Sequence, residues 1–165
     1  MIRIQHTTSW DRGQWVEEQF ANTLREHDPS FRKATRSEQF NHIDYHSSFG
    51  TIDVKARKQI SRSSKKLQDE FVWLEFTNVQ GNKGWLAGGS DLIAFEQKEL
   101  FVMVDRVPLM EWAMDKCDLE DLVETPADAL YKGYTRDGRR DLISLVDIES
   151  IQKDVTHTIW EKFKP

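Results

Sequence analysis

A single cysteine, Cys117, is present among 165 residues. A disulfide framework and a cysteine-built zinc site are therefore both excluded. No apolar run approaches the ~18 residues that a membrane span requires. The opening stretch, MIRIQHTTSWDRGQW, has no apolar core followed by small residues. Neither a signal peptide nor a membrane partner is expected, and a reducing cytoplasm is the expected compartment. There is no internal repeat and no low-complexity tract. Basic residues do not dominate: 23 Lys and Arg stand against 28 Asp and Glu, for a net charge of −5. That balance argues against wholesale coating of nucleic acid but leaves room for a local basic surface beside an acidic pocket. What is present is aromatic. Six Trp and nine Phe give a short chain the area it needs to bury, and argue against disorder.

The length suits one domain, 1–165, with a core at about 10–105 and a C-terminal helix–hairpin–helix elaboration over 106–165. Ser9 or Asp11 can cap a helix running to about His27, where Asp28-Pro29-Ser30 stops it. Val16, Phe20 and Leu24 fall on one face of that helix. Glu17 lies on the rim of the same face, whereas Glu18 points to water. Strands are expected at 39–46 (QFNHIDYH), 50–57 (GTIDVKAR) and 71–78 (FVWLEFTN), the first two joined at Ser47-Ser48-Phe49 as a hairpin. A second hairpin is expected over 91–96 and 99–105, and a helix from Pro108 to about Lys116. Leu130–Arg136 and Arg139–Val146, joined by Asp137-Gly138, predict a third hairpin, and 147–163 a closing helix. The order implies an α+β fold with a central mixed sheet flanked by helices.

The chemistry concentrates in Asp44-Tyr45-His46-Ser47-Ser48-Phe49-Gly50-Thr51-Ile52-Asp53-Val54-Lys55. Side chains two apart on a strand share a face, so Asp53 and Lys55 point together and Ile52 and Val54 point the other way. Asp44 can join them across the hairpin. Neighbouring carboxylates repel unless a cation lies between them, and an oxygen pair with open positions suits Mg²⁺ (or Mn²⁺). The lysine ammonium can then hold a phosphate oxygen, orient a water or stabilise developing negative charge. Acid, acid and lysine around a metal is what phosphodiester hydrolysis requires. The competing interpretation of an isolated Asp-x-Lys is an exposed ion pair on a strand edge.

A helix glutamate, a hairpin carrying a first aspartate and an Asp-x-Lys on the next strand resemble the PD-(D/E)XK nuclease superfamily over about residues 10–96. Glu75, Gly81, Gly84-Trp85 and Ser90-Asp91 are similar to small phage-type members of it. The resemblance implies a restriction-endonuclease-like core and Mg²⁺-dependent cleavage of DNA. It assigns Asp44 and Asp53 to one or two metal ions, with Glu17 as a ligand directly or through water, Glu75 as a further candidate ligand and Lys55 at the phosphate, and Ile43 stands where the family carries proline. A second alignment takes Asp53 as the first acid and Glu75 as the second, with Lys55 supplying the ammonium from the neighbouring strand. The family resemblance also makes a homodimer an expected partner state, and host cytoplasm the compartment if the protein is phage-encoded.

A basic stretch follows the Asp-x-Lys directly. Arg57, Lys58, Arg62, Lys65 and Lys66 are candidates for contact with a nucleic-acid backbone, against a solvated loop as the alternative. Lys132, Arg136, Arg139 and Arg140 form a second basic group. His42 and His46 flank Asp44 at strand spacing and could ligate a transition metal. Gly81-x-x-Gly84-Trp85-x-x-Gly88-Gly89 lacks Gly-Lys-Ser/Thr, so a P-loop is not expected. Trp85 is expected to pack on the core, with Asn78, Gln80 and Lys83 as groove candidates. Two other classes compete with an enzyme: a catalytically inactive nuclease-fold module that binds nucleic acid or a partner protein, and a regulator that binds protein alone.

Overall fold

A computed structural model describes residues 9–60 and 66–165, with side chains from residue 11 onward. The chain runs α1 (Ser9–His27), β1 (Arg32–Lys33), α2 (Arg36–Phe40), β2 (Tyr45–Ser47), β3 (Gly50–Lys55), β4 (Phe71–Thr77) and a single 3₁₀ turn (Trp85–Ala87). It continues through β5 (Leu92–Glu96), β6 (Leu100–Asp105), α3 (Arg106–Lys116), β7 (Asp118–Val123) and a second 3₁₀ turn (Pro126–Asp128). It ends with β8 (Lys132–Tyr134), β9 (Leu142–Asp147), α4 (Ile148–Asp154) and β10 (His157–Glu161). The fold is α+β. In place of one central sheet there are two mixed sheets, ordered β1-β2-β3-β5-β6-β10 and β4-β9-β8-β7.

Periodicity accounts for α1. Val16, Phe20 and Leu24 are wholly buried and pack with Ile52, Val54 and Ala94 on one face of the first sheet. The helix ends where Asp28 leaves it, and the Asp28 carboxylate accepts the backbone N–H groups of Ser30 and Ser48, tying the helix end to the β2–β3 turn. The opposite face of that sheet, with Ile93 and Phe95, packs with Leu74 and Val146 of the second sheet and with Leu109 and Trp112 of α3. Every second residue of β3 therefore faces a different core.

Three expectations are corrected. Residues 39–46 do not form one strand. Thr35 caps α2 as half of a capping box with Glu38, so the helix takes residues 36–40 and leaves only Tyr45–Ser47 to pair. The closing helix stops at Asp154, and residues 157–161 pair antiparallel with β6. Thr158, Ile159 and Trp160 favour a strand, and the free edge of β6 supplies the partner that local sequence does not reveal. Finally, the acidic run Asp118–Val123 is a strand, parallel to β8, with no counterpart in the sequence reading. The second expected hairpin is present. The third is reduced: β8 and β9 pair antiparallel at Tyr134 and Ile143, and their loop spans residues 135–141 instead of Asp137-Gly138 alone, with Gly138 supplying a positive φ of 72°. Pro108 lies in the first turn of α3, two residues inside its start, where backbone N–H groups lack intrahelical partners anyway.

Candidate active site

The site lies where the β2–β3 hairpin opens. Tyr45 pairs with Ile52, and Asp44, just before β2, falls beside Asp53. Strand β3 continues past the end of its partner. The Val54 N–H left there is taken by Asp44 Oδ2 at 2.8 Å, and the Asp44 N–H donates to the Ile52 carbonyl at 2.8 Å. Backbone contacts thus fix the first carboxylate at the N-terminal end of β2. Asp53 and Lys55 alternate with the two residues buried under α1, so both project to the opposite face, in register with Ile93 and Phe95.

Asp53 is only 3% exposed. Its Oδ1 lies 3.1 Å from Lys55 Nζ; its buried Oδ2 receives no N–H or O–H donor, and a proton on the Asp53 carboxyl is shared with Asp44. Burial pushes this carboxyl up to about 8; Lys55 pulls it down, and the neighbouring Asp44 carboxyl pushes it further up. Glu17, on α1, lies in electrostatic range of Asp44 and Lys55. It is half-buried whereas Glu18 is exposed, and the Tyr45 hydroxyl donates to the Glu17 carbonyl at 2.9 Å. Burial and then the Asp44 charge raise the Glu17 carboxyl to about 7, against the opposing pull of Lys33 and Lys55. The structure thus brings Asp44, Asp53 and Lys55 together, with Glu17 on the α1 side of the sheet in electrostatic range of Asp44 and Lys55.

These residues have the chemistry of a hard divalent cation site. The Oδ2 of Asp53, without an N–H or O–H donor and beside a second carboxylate, offers two oxygens and leaves open positions for water, which Mg²⁺ retains. Among the described residues, no group of three or more His, Cys, Asp or Glu side chains is placed to hold a metal ion.

Glu75 is directed elsewhere. Its Oε1 accepts the Trp85 backbone N–H at 3.2 Å, and the Trp85 ring lies 5.0 Å from Lys55 Nζ. Trp85 is buried and meets Phe95 edge-on, so its core placement comes with a second contact that the sequence did not suggest. Asn78 organises its own loop: its side-chain oxygen accepts the N–H groups of Gln80 and Asn82. The histidines diverge. His42 adopts a positive φ of 60°, which removes the strand spacing, and His46 turns to Glu38. Burial and then Lys55 lower His42, against Glu75 and Asp44.

The basic residues separate into distinct groups. Arg57 is turned inward, with a contact to Asp69 at 3.3 Å and its backbone N–H on Glu96 at 2.9 Å. Lys58 and Lys66 have exposed side chains; the surrounding protein and then the Lys55 and Arg136 charges lower the Lys58 ammonium. Arg62 and Lys65 lie outside the described residues. In the second group, Lys132 pairs with Asp121 and Arg136 with Asp141, both at 2.6 Å.

Sequence reasoning missed Glu96, whose buried carboxylate receives Arg12 at 2.5 Å and Lys162 at 2.8 Å besides the Arg57 N–H. Burial works against the charge, but Lys162, the Arg57 N–H and Arg12 hold the acid below its ordinary range. A lone Glu closing an apolar strand was the available signal. Its partners come from residues 12, 57 and 162, and only the fold brings them together. Two surface depressions, of about 380 and 370 Å³, lie elsewhere, one beside Glu70 and Glu149 and one between α1 and Phe163.

No family profile, curated protein sequence or solved structure matches the chain. Among the described residues, no helix is long and apolar enough to cross a membrane.

Proposed function

We propose that the protein is a divalent-metal-dependent nuclease that hydrolyses DNA phosphodiester bonds as an endonuclease, built on a restriction-endonuclease-like core of the PD-(D/E)XK type. The observation that carries this reading is the buried Oδ2 of Asp53, without an N–H or O–H donor, next to Asp44, with the Lys55 ammonium 3.1 Å from the other oxygen. Asp44 and Asp53 would hold Mg²⁺ or Mn²⁺, and Glu17 would support it through water. The ion, when bound, supplies charge neutralisation at the phosphoryl group and acidifies water. Lys55 places a fixed positive charge where the phosphate gains negative charge. Glu17, raised to about 7, is suited to take up a proton near neutral pH. Lys58 and Lys66 would meet the DNA backbone.

One observation favours a second reading. Lys55 Nζ already stands 3.1 Å from Asp53 as a counter-charge, so the cluster also suits an inactive nuclease-fold module that binds nucleic acid or protein without metal. Incubation of the protein with plasmid and Mg²⁺ or Mn²⁺, beside Asp53→Ala and Lys55→Ala, separates the two. Metal-dependent nicking lost in both variants supports the enzyme. Binding to DNA without nicking in any form supports the module.

A further inference from the structure

We infer that Glu75 and Trp85 form a clamp that positions the Lys55 ammonium: Glu75 fixes the Trp85 backbone, and the Trp85 ring holds Lys55 beside Asp53. The geometry is independent of the functional reading; only its effect on turnover rests on that reading. A lysine ends a flexible four-carbon stem, so an ammonium that must meet one phosphate oxygen needs to be held. The Asp53 carboxylate is an incomplete anchor, because a divalent ion would compete for the same oxygens. An aromatic face attracts an ammonium and takes nothing from a metal. Trp85 provides that face, 5.0 Å from Nζ.

The turn that carries Trp85 is braced on both sides. Glu75 Oε1 accepts the Trp85 N–H at 3.2 Å, and the Gly84 N–H donates to the Phe76 carbonyl at 2.9 Å. A β-carbon on Gly84 would overlap the Glu75 carbonyl oxygen, so glycine is what lets the turn press onto β4. The register of β4 against β9 shifts between Glu75 and Thr77, next to this contact. Beyond the turn, Arg106 grips the carbonyls of Leu86 at 3.0 Å and Ser90 at 2.5 Å. Glu75 therefore acts as a positioning residue at one remove from Lys55. That explains a carboxylate close to the cluster whose hydrogen bond goes to the Trp85 backbone.

The test is the acetylation rate of Lys55 by an amine-reactive ester in the metal-free protein, read by peptide mass mapping, with exposed Lys164 as internal reference. Trp85→Leu and Glu75→Ala should each speed acetylation at Lys55 about three- to fivefold relative to Lys164, the release expected on losing one cation–π contact. Trp85→Phe keeps a ring and Glu75→Gln keeps the acceptor oxygen, so both should stay near wild type. Equal rates in all five proteins would overturn the clamp. Acceleration by Glu75→Gln as large as by Glu75→Ala would show that the Glu75 charge matters and overturn its positioning role. Should Trp85→Leu fail to fold, Glu75→Ala carries the same measurement. In cleavage assays Trp85→Leu should lower kcat with KM little changed, and Trp85→Phe should restore it. Absence of cleavage by the wild type would refute the nuclease reading and leave the acetylation result standing.

Discussion

Asp44 and Asp53 adjoin at the open end of the β2–β3 hairpin, the first held by the Val54 N–H at 2.8 Å and the second buried with one oxygen receiving no N–H or O–H donor. Lys55 is the nearest compensating charge, at 3.1 Å from Asp53. The pair is thus under-neutralised by its own chain, and its behaviour should depend on protons and on added cations.

The first consequence is a pH dependence of stability. A carboxyl raised by folding binds a proton more readily in the folded state than in the unfolded chain. Its contribution is complete below the unfolded value and is lost as pH rises through the folded one. For Asp53 that window runs from 3.8 to about 8, and for Glu17 from 4.5 to about 7. The metal-free protein should lose more stability between pH 5 and 8 than Asp53→Asn does, as measured by chemical denaturation across that range.

Metal binding should release protons. Near neutral pH the Asp53 carboxyl, raised to about 8, carries a proton that a coordinated cation must displace. Titration calorimetry with Mg²⁺ or Mn²⁺ in two buffers of different ionisation enthalpy should show proton release and an affinity that climbs toward pH 8. The melting temperature should rise with metal concentration. Asp53→Asn should abolish both effects.

Glu96 should be a stability residue. Its carboxylate is buried among Arg12, Arg57 and Lys162, which come from α1, the end of β3 and the C-terminal residues. Glu96→Ala leaves those cations without their shared partner and should cost about 3 kcal/mol, the scale for breaking a buried ion pair. Urea denaturation would measure it, and a change below about 1 kcal/mol would contradict the assignment.

The basic residues should divide in the same way. Lys58→Ala and Lys66→Ala should each weaken DNA binding and reduce the slope of log affinity against log salt by about one. Arg57, held by Asp69 and Glu96, should instead lower the melting temperature when replaced by alanine, with little change in that slope. Fluorescence anisotropy over a salt series, beside thermal unfolding, distinguishes the two outcomes.

Local pattern was enough for α1, for β3 and β4, and for the β5–β6 hairpin, because each carries its own period of buried residues or its own turn. It was also enough to place Asp53 and Lys55 on one face and to set Glu17 apart from Glu18, since strand and helix periodicity act within a few residues. Thr35 and Glu38 carry a local capping signal for α2, and Phe40, Ile43 and Tyr45 a β-forming one; the helix takes the segment through Phe40 and leaves Tyr45 to pair.

Other features depend on distant partners. Residues 157–161 become a strand because β6 has a free edge, and Glu96 keeps its charge because residues 12, 57 and 162 converge on it. Glu75 and Lys55 lie on strands of different sheets, and Trp85, on a turn between them in space, links the two. Spacing along the chain sets which residues share a face. Packing sets which faces meet, because a buried carboxylate or ammonium takes its partner from whatever element packs against it.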